Sequence, residues 1–340
     1  MPEWFVNMNG TTVSGPANGY ASLSLRTDMK VGEPLTVVAK SLMRPAVRRL
    51  AQWRLLIEGW EPRPAFQPSL VRFCQDILQP LGKGRTSQRG PTKASGRAAV
   101  ESVLKAIDLA LKGEIDAIVT APISKEAVKM AGYPWPGHTE ILAERTGTKQ
   151  PVMTMVGGGL IVPLVTTHVS MADLPKRITR ERVLRAIRVI AESLPKYWGI
   201  RRPRIAVCGL NPHAGEAGQF GREEIEAIAP AIRLAQKAGV SCSGPLPADV
   251  VFYQARRGLY DAVVAMYHDQ ANIPVKMLAF DSGVNVTLGL PIIRTSPDHG
   301  TAFDIASKGI ANPGSMIAAI KMAVAMVAKR GFRVRGSGFR

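Results

Sequence analysis

From Gly96 onward the chain alternates helix-like and strand-like stretches, and this alternation limits its fold more than any other feature. Val100, Val103, Leu104, Ile107 and Leu111 fall on one helical face, Gly113 follows as a stop, and residues 115 to 120 form a short apolar strand. Further strands are expected at residues 151 to 156, 160 to 166, 204 to 210 and 261 to 266. Between them the spacing predicts a helix over residues 180 to 194, with Val183, Ile187, Ile190 and Leu194 inward, and another over 222 to 237. Glu223 and Glu224 stand in the first turn of the latter, where the helix dipole favours anions. Ser315 is placed to cap a last helix, residues 316 to 329, apolar on nearly every side but too short to span a bilayer. Such a succession describes an α/β protein.

The first 95 residues read differently. Residues 8 to 24 and 81 to 95 are rich in Gly, Ser, Thr, Asn, Lys and Arg without periodicity, and only residues 35 to 57 suggest a helix. The chain carries a net charge of +18, and residues 1 to 97 hold 14 basic and 6 acidic residues, a net +8. Residues 1 to 95 are therefore expected to be poorly ordered, ahead of a body over residues 96 to 335. With 46% hydrophobic residues there is enough apolar material for a sizeable core, which excludes disorder for most of the chain. No apolar run reaches the roughly 18 residues of a membrane span, and Met1 to Gly10 lack the plan of a signal peptide, so a cytoplasmic protein is expected. Three cysteines without CxxC spacing indicate neither a disulfide framework nor a structural zinc site.

The five histidines lie just after strands or in polar loops. His168, His213 and His268 each closely follow an expected strand, and in open α/β sheets the loops at the carboxyl ends of strands line the ligand crevice. Three neutral imidazoles gathered there can bind a divalent transition metal and leave positions open for substrate. One such histidine alone is more often a hydrogen-bonded structural residue, but three in equivalent positions favour a site. His138 and His299 lack the strand-end position and suit substrate or cofactor contact. Gly157-Gly158-Gly159 reads as a hairpin turn rather than a dinucleotide fingerprint. Lys276, Asn285 and Arg294 punctuate an otherwise apolar run and could gather around a phosphate, although a solvated surface explains them about as well. Asp249 can orient a histidine or lysine, or cap a helix.

In this order, Asp116-Ala-Ile-Val-Thr-Ala-Pro-Ile-Ser-Lys-Glu126, Pro136-Gly-His-Thr-Glu140, Leu164-Val-Thr-Thr-His168, Cys208-Gly-Leu-Asn-Pro-His-Ala-Gly-Glu216, Met266-Tyr-His-Asp-Gln270 and the stretch from Gly283 to Asp304 resemble the 4-hydroxythreonine-4-phosphate dehydrogenase family of pyridoxal phosphate biosynthesis. The resemblance implies a two-lobed α/β fold like that of isocitrate and isopropylmalate dehydrogenases, with the active site in the cleft, and a homodimer with shared active sites. It implies His168, His213 and His268 as metal ligands contributed from both subunits, for one ion of zinc, magnesium or cobalt. His138, Thr139, Lys276, Asn285 and Arg294 would hold the phosphorylated substrate, and Asp249 and Lys276 are the candidate catalytic residues. The segment from Asp298 to Pro313 is similar to the adenosine-binding loop of isopropylmalate dehydrogenases, which implies NAD or NADP near His299, Asp304 and Asn312. The implied reaction oxidises the 3-hydroxyl of 4-(phosphooxy)-L-threonine to a β-keto acid that decarboxylates to 3-amino-2-oxopropyl phosphate.

Two departures qualify the implied reaction. The family opens with a Gly-Asp-Pro-x-Gly-Ile-Gly-Pro-Glu loop, of which Gly32-Glu33-Pro34 and Val38-Ala39-Lys40 are a faint echo. Residues 271 to 276 and 279 to 283 look closer to a branch that oxidises D-threonate or D-erythronate 4-phosphate, and a related branch acts on aromatic cis-dihydrodiols. A basic nucleic-acid-binding protein is the contrary class, motivated by the +18, and an inactive relative is a third. Against the former, the basic residues are dispersed and aromatics make up only 6% of the chain, so no nucleic-acid or membrane partner is expected.

Overall fold

The computed structural model describes residues 90–305 and 310–331 and, as backbone alone, three short strands nearer the N-terminus. These are β1 (Ser22–Leu25), β2 (Leu35–Thr36) and β3 (Arg54–Leu55). There follow α1 (Lys93–Leu111), β4 (Ala117–Thr120), α2 (Lys125–Met130), α3 (His138–Arg145), β5 (Val152–Gly157) and β6 (Leu160–Pro163). Next come α4 (Leu174–Arg177), α5 (Arg180–Ser193), β7 (Ile205–Cys208), α6 (Ala229–Lys237), β8 (Cys242–Leu246), α7 (Ala248–Arg256) and β9 (Ala262–Val264). The chain closes with α8 (His268–Ala279), β10 (Val284–Leu288), β11 (Ile293–Pro297) and α9 (Gly314–Gly331). The expected α/β class is what this succession forms.

Two units divide the chain. The first draws on Met1–Lys149 and Leu290–Val324, the second on Gln150–Gly289 and Ala325–Arg340. In the first, β1 pairs antiparallel and β11 parallel with β4. Helix α1 begins at a reciprocal capping box in which Thr92 Oγ1 accepts the Ser95 N–H and Ser95 Oγ accepts the Thr92 N–H. Its stripe of Val100, Val103 and Ile107 is buried with Ile118, Val128, Ile141 and Leu142. Each such side chain contributes roughly 1.5–3 kcal/mol of hydrophobic stabilisation. Leu111, expected on that stripe, is instead 46% exposed, because the helix ends there and its last turn runs past the core.

In the second unit, β5 pairs antiparallel with β10 and β6, while β7 lies between parallel partners β8 and β9. Gly157-Gly158-Gly159 does form the hairpin turn between β5 and β6. Gly158 and Gly159 have φ of 59° and 81°, the positive pair that a tight two-residue hairpin demands. A Cβ on Gly158 would also lie 2.3 Å from Leu278 Cβ. Val183, Ile187, Ile190 and Leu194 are all buried, as expected, and beyond α5 the chain runs on through a wide helical turn, Leu194–Trp198.

Several expectations are corrected. The helix foreseen over residues 35 to 57 is contradicted at its ends, where β2 and β3 pair antiparallel; the residues between lie outside those described, as does most of the segment up to residue 89. The helix expected over residues 222 to 237 begins with a wide turn, Glu224–Ile228, before α6. Glu224 does stand in the first turn, and there it is buried, its Oε1 accepting the N–H groups of Leu210 and Asn211, each at 2.7 Å. Ser315 does not cap from outside α9 but lies within its first turn, where its Oγ accepts the Asp298 N–H. Among the described residues no helix is long and apolar enough to cross a membrane. Cys208 and Cys242 are free and buried, and burial pushes both thiols up, so neither offers a thiolate; Cys74 lies outside the described residues.

Candidate active site

Three strand ends in the second unit carry the three strand-following histidines. After β6, Leu164 bridges to Ala265, and Thr166 bonds to the Met266 carbonyl through both its N–H (3.1 Å) and its Oγ1 (2.7 Å). This places His168 beside His268, with ring centroids 5.6 Å apart. His268 is not in a loop as expected but opens α8, and its Nδ1 lies 2.7 Å from Asp269 Oδ1. A carboxylate on one ring nitrogen fixes the tautomer and leaves Nε2 available to a ligand.

His213 follows β7 in a separate turn. Residues 213 to 217 all have positive φ, between 41° and 81°, a left-handed run that non-glycine residues adopt at a cost of roughly 1–2 kcal/mol each. The Glu224 carboxylate braces the entry to that turn by holding Leu210, Asn211 and the Asn211 side chain. The His213 side chain is 72% exposed, with Nδ1 3.8 Å from Glu216 Oε2 and its ring against Phe220. Among the described residues, no three His, Cys, Asp or Glu side chains of one chain sit together as a metal-holding group. The chain thus brings two of the three imidazoles together and presents the third outward.

The residues expected to hold a phosphate fall on several elements rather than one run. In the first unit, Arg294 on β11 is only 4% exposed, and burial pulls its guanidinium down to about 10. Its Nε and Nη2 donate to Thr120 Oγ1 on β4, at 3.2 and 2.7 Å. Thr120 lies in the run Asp116 to Glu126 that carries the family resemblance, but nothing in the sequence marks it as the partner of Arg294. His138 and Thr139 open α3, so His138 too is helical rather than in a loop. Burial, with a smaller push from the Arg294 cation, holds the His138 imidazole well below its usual range and therefore neutral. Its Nε2 is cut off from solvent without a hydrogen-bond partner. In the second unit, Asn285 on β10 likewise has a buried Oδ1 with no partner, and Lys276 on α8 places Nζ 5.7 Å over the Phe280 ring. Asp249 stands exposed in the first turn of α7, as a cap-side carboxylate would.

The expected cofactor residues lie on the segment after β11. His299 and Asp304 are exposed, His299 Nδ1 is 2.9 Å from the Gly300 carbonyl, and Asn312 Oδ1 accepts the Gly314 N–H at the start of α9. Both a ring and a carboxylate are therefore presented on an open polar segment.

With this geometry in view, comparison with known proteins gives consistent matches. A family described as "Pyridoxal phosphate biosynthetic protein PdxA" matches residues 33–323. That match begins well ahead of Gly96, within the segment where recognisable motifs are sparse. A 4-hydroxythreonine-4-phosphate dehydrogenase of Geobacter metallireducens is 54% identical over 248 residues, which is 73% of this chain and 71% of that protein. A relative from Oceanobacillus iheyensis, provisionally named a D-threonate 4-phosphate dehydrogenase, is 53% identical over 231 residues, 68% of this chain and 69% of that one. Among solved structures, the Klebsiella pneumoniae 4-hydroxythreonine-4-phosphate dehydrogenase has a TM-score of 0.67 at 46% identity, covering 72% of this chain and 73% of that chain.

Proposed function

The chain belongs to the pyridoxal phosphate biosynthetic protein PdxA family, and on that premise we propose that it is a dehydrogenase oxidising the 3-hydroxyl of 4-(phosphooxy)-L-threonine. The observation that carries the substrate reading is the pair formed by buried Arg294 and neutral His138, whose Nε2 has no protein partner. A phosphate dianion answers both: its oxygens accept from the guanidinium, in the charge-assisted bonds Arg makes best, and from an imidazole N–H that a neutral ring can still donate. Thr139, next to His138 at the start of α3, adds a hydroxyl.

The donor chemistry also fits a divalent metal. His168 and His268, whose ring centroids lie 5.6 Å apart, are the imidazoles that would hold it. The third position would fall to the partner subunit's His213, in keeping with the exposure of that side chain and with a homodimer. The exposed apolar face of α8, Ile273, Met277 and Phe280, supports such a partner. Zinc, magnesium or cobalt at these histidines would supply Lewis-acid polarisation of the substrate hydroxyl, and NAD or NADP along the segment of His299, Asp304 and Asn312 would accept the hydride. The chain's own residues do the rest: Arg294 and His138 are suited to hold the phosphate, while Asp249 is the group to accept the hydroxyl proton and Lys276 the one to donate a hydrogen bond to the oxygen that loses it. The β-keto acid so formed loses carbon dioxide to give 3-amino-2-oxopropyl phosphate.

A second reading, oxidation of D-threonate 4-phosphate, is favoured by the nearly equal identity of the relative carrying that substrate in its name. NAD and NADP reduction is to be followed with 4-hydroxythreonine 4-phosphate, threonate 4-phosphate and erythronate 4-phosphate, with and without added zinc, magnesium or cobalt. Metal-dependent turnover of the first is the expected result, turnover of the second alone selects the other reading, and none with folded protein overturns both.

A further inference from the structure

One residue, Met266, ties the histidine-bearing strand ends together. The Met266 carbonyl, two residues before His268, accepts both hydrogen bonds from Thr166, two residues before His168. The Met266 N–H donates to Gln270 Oε1 at 2.6 Å, and Gln270 Nε2 donates to the Gly209 carbonyl at 2.9 Å, four residues before His213. Gln270 is 8% exposed, and its orientation is unambiguous: an N–H can meet only the amide oxygen, and a carbonyl only the amide nitrogen. Met266 and Gly209 are both buried, where a lost partner costs on the order of 1–3 kcal/mol.

We propose that Gln270 is a positioning residue that, with Thr166, fixes the His168 and His268 segments against each other and so tunes the affinity of the site for its metal, while its bond to Gly209 steadies the His213 turn that would serve the partner's site. This rests on the metal reading above. Gln270 touches neither substrate nor metal; it acts through Met266 on His268 and through Gly209 on the entry to the His213 turn. Glu224 grips the following two amides, Leu210 and Asn211, so the His213 segment is held from both sides by buried acceptors and donors. Residues that orient ligands in this way typically change metal affinity by about 10–100-fold when replaced.

The test is a cobalt(II) titration of the full chain, read by the visible absorption of histidine-bound cobalt and so independent of turnover. The unmodified protein, Gln270→Met and Thr166→Val are compared, with circular dichroism of the metal-free proteins checking the fold. The expected result is binding at least about tenfold weaker in Gln270→Met, with displaced absorption bands, while the metal-free variant stays folded. Affinity and bands equal to the unmodified protein overturn the proposal. Should Gln270→Met fail to fold, Thr166→Val decides: it keeps the backbone bond to Met266 and loses only the hydroxyl bond, and unchanged binding there overturns the proposal too. An unmodified chain that shows no histidine-bound cobalt overturns the metal reading itself, an outcome distinct from a variant that behaves like its parent.

Discussion

His138 shows how a single residue can be read for chemistry and for stability at once. Its imidazole is neutral because burial, then the Arg294 cation, disfavour the charged form. In the unfolded chain the same ring takes a proton near pH 6.5. A lowered folded pKa means that this contribution is fully present above about pH 6.5 and is lost as acid protonates the unfolded chain first, until pH falls through the folded value. Thermal melts from about pH 7 to about pH 5 are therefore expected to show a smaller loss in His138→Gln than in the unmodified protein. Equal losses in the two would overturn the neutral state of His138.

At the scale of elements, the packing of α1 on α2 turns on Gly96. Sequence pattern marks Gly96 as a boundary, whereas it lies inside α1, where a Cβ would come 1.8 Å from the Ala127 carbonyl oxygen. Gly96→Ala gains up to about 1 kcal/mol of helix propensity, but the clash is with backbone and forces the two helices apart. A net loss of roughly 2 kcal/mol is expected in urea unfolding, and a stability equal to the parent's would show that the helices yield freely. The second unit makes the same point with polar groups. Glu223 and Glu224 look alike in sequence, yet only Glu224 is buried under the His213 turn, because β7 delivers two unpaired amides to its carboxylate.

For the whole molecule, the proposed site needs two chains: His168 and His268 from one and His213 from the other. Separately inactive His213→Ala and His268→Ala proteins, unfolded and refolded together, are expected to regain about a quarter of the parent activity, since half the random dimers carry one intact site of two. No recovery would mean that all three ligands serve within one chain. The charge of +18 bears on the same question, since part of the basic excess after residue 97, net +10, lies in groups such as Arg294 and Lys276 suited to an anionic substrate.

The α/β class, the inward stripe of α5 and the hairpin at Gly158 were legible in the sequence, because each depends on local periodicity or on a backbone angle only glycine takes up easily. The histidines after strands could be singled out for the same reason, since strand ends are local features. What sequence could not convey is which of them meet. The 5.6 Å approach of His168 to His268 follows from Leu164 pairing with Ala265, and the neutrality of His138 follows from burial beside a cation 156 residues away in sequence (294 − 138). The roles of Thr120, Gln270 and Glu224 are not legible in the sequence, because they lie in hydrogen bonds to residues remote along the chain or to backbone groups left open by a strand. The sequence determined the kinds of side chain available to the site; tertiary structure decided their distances, their exposure and hence their charge.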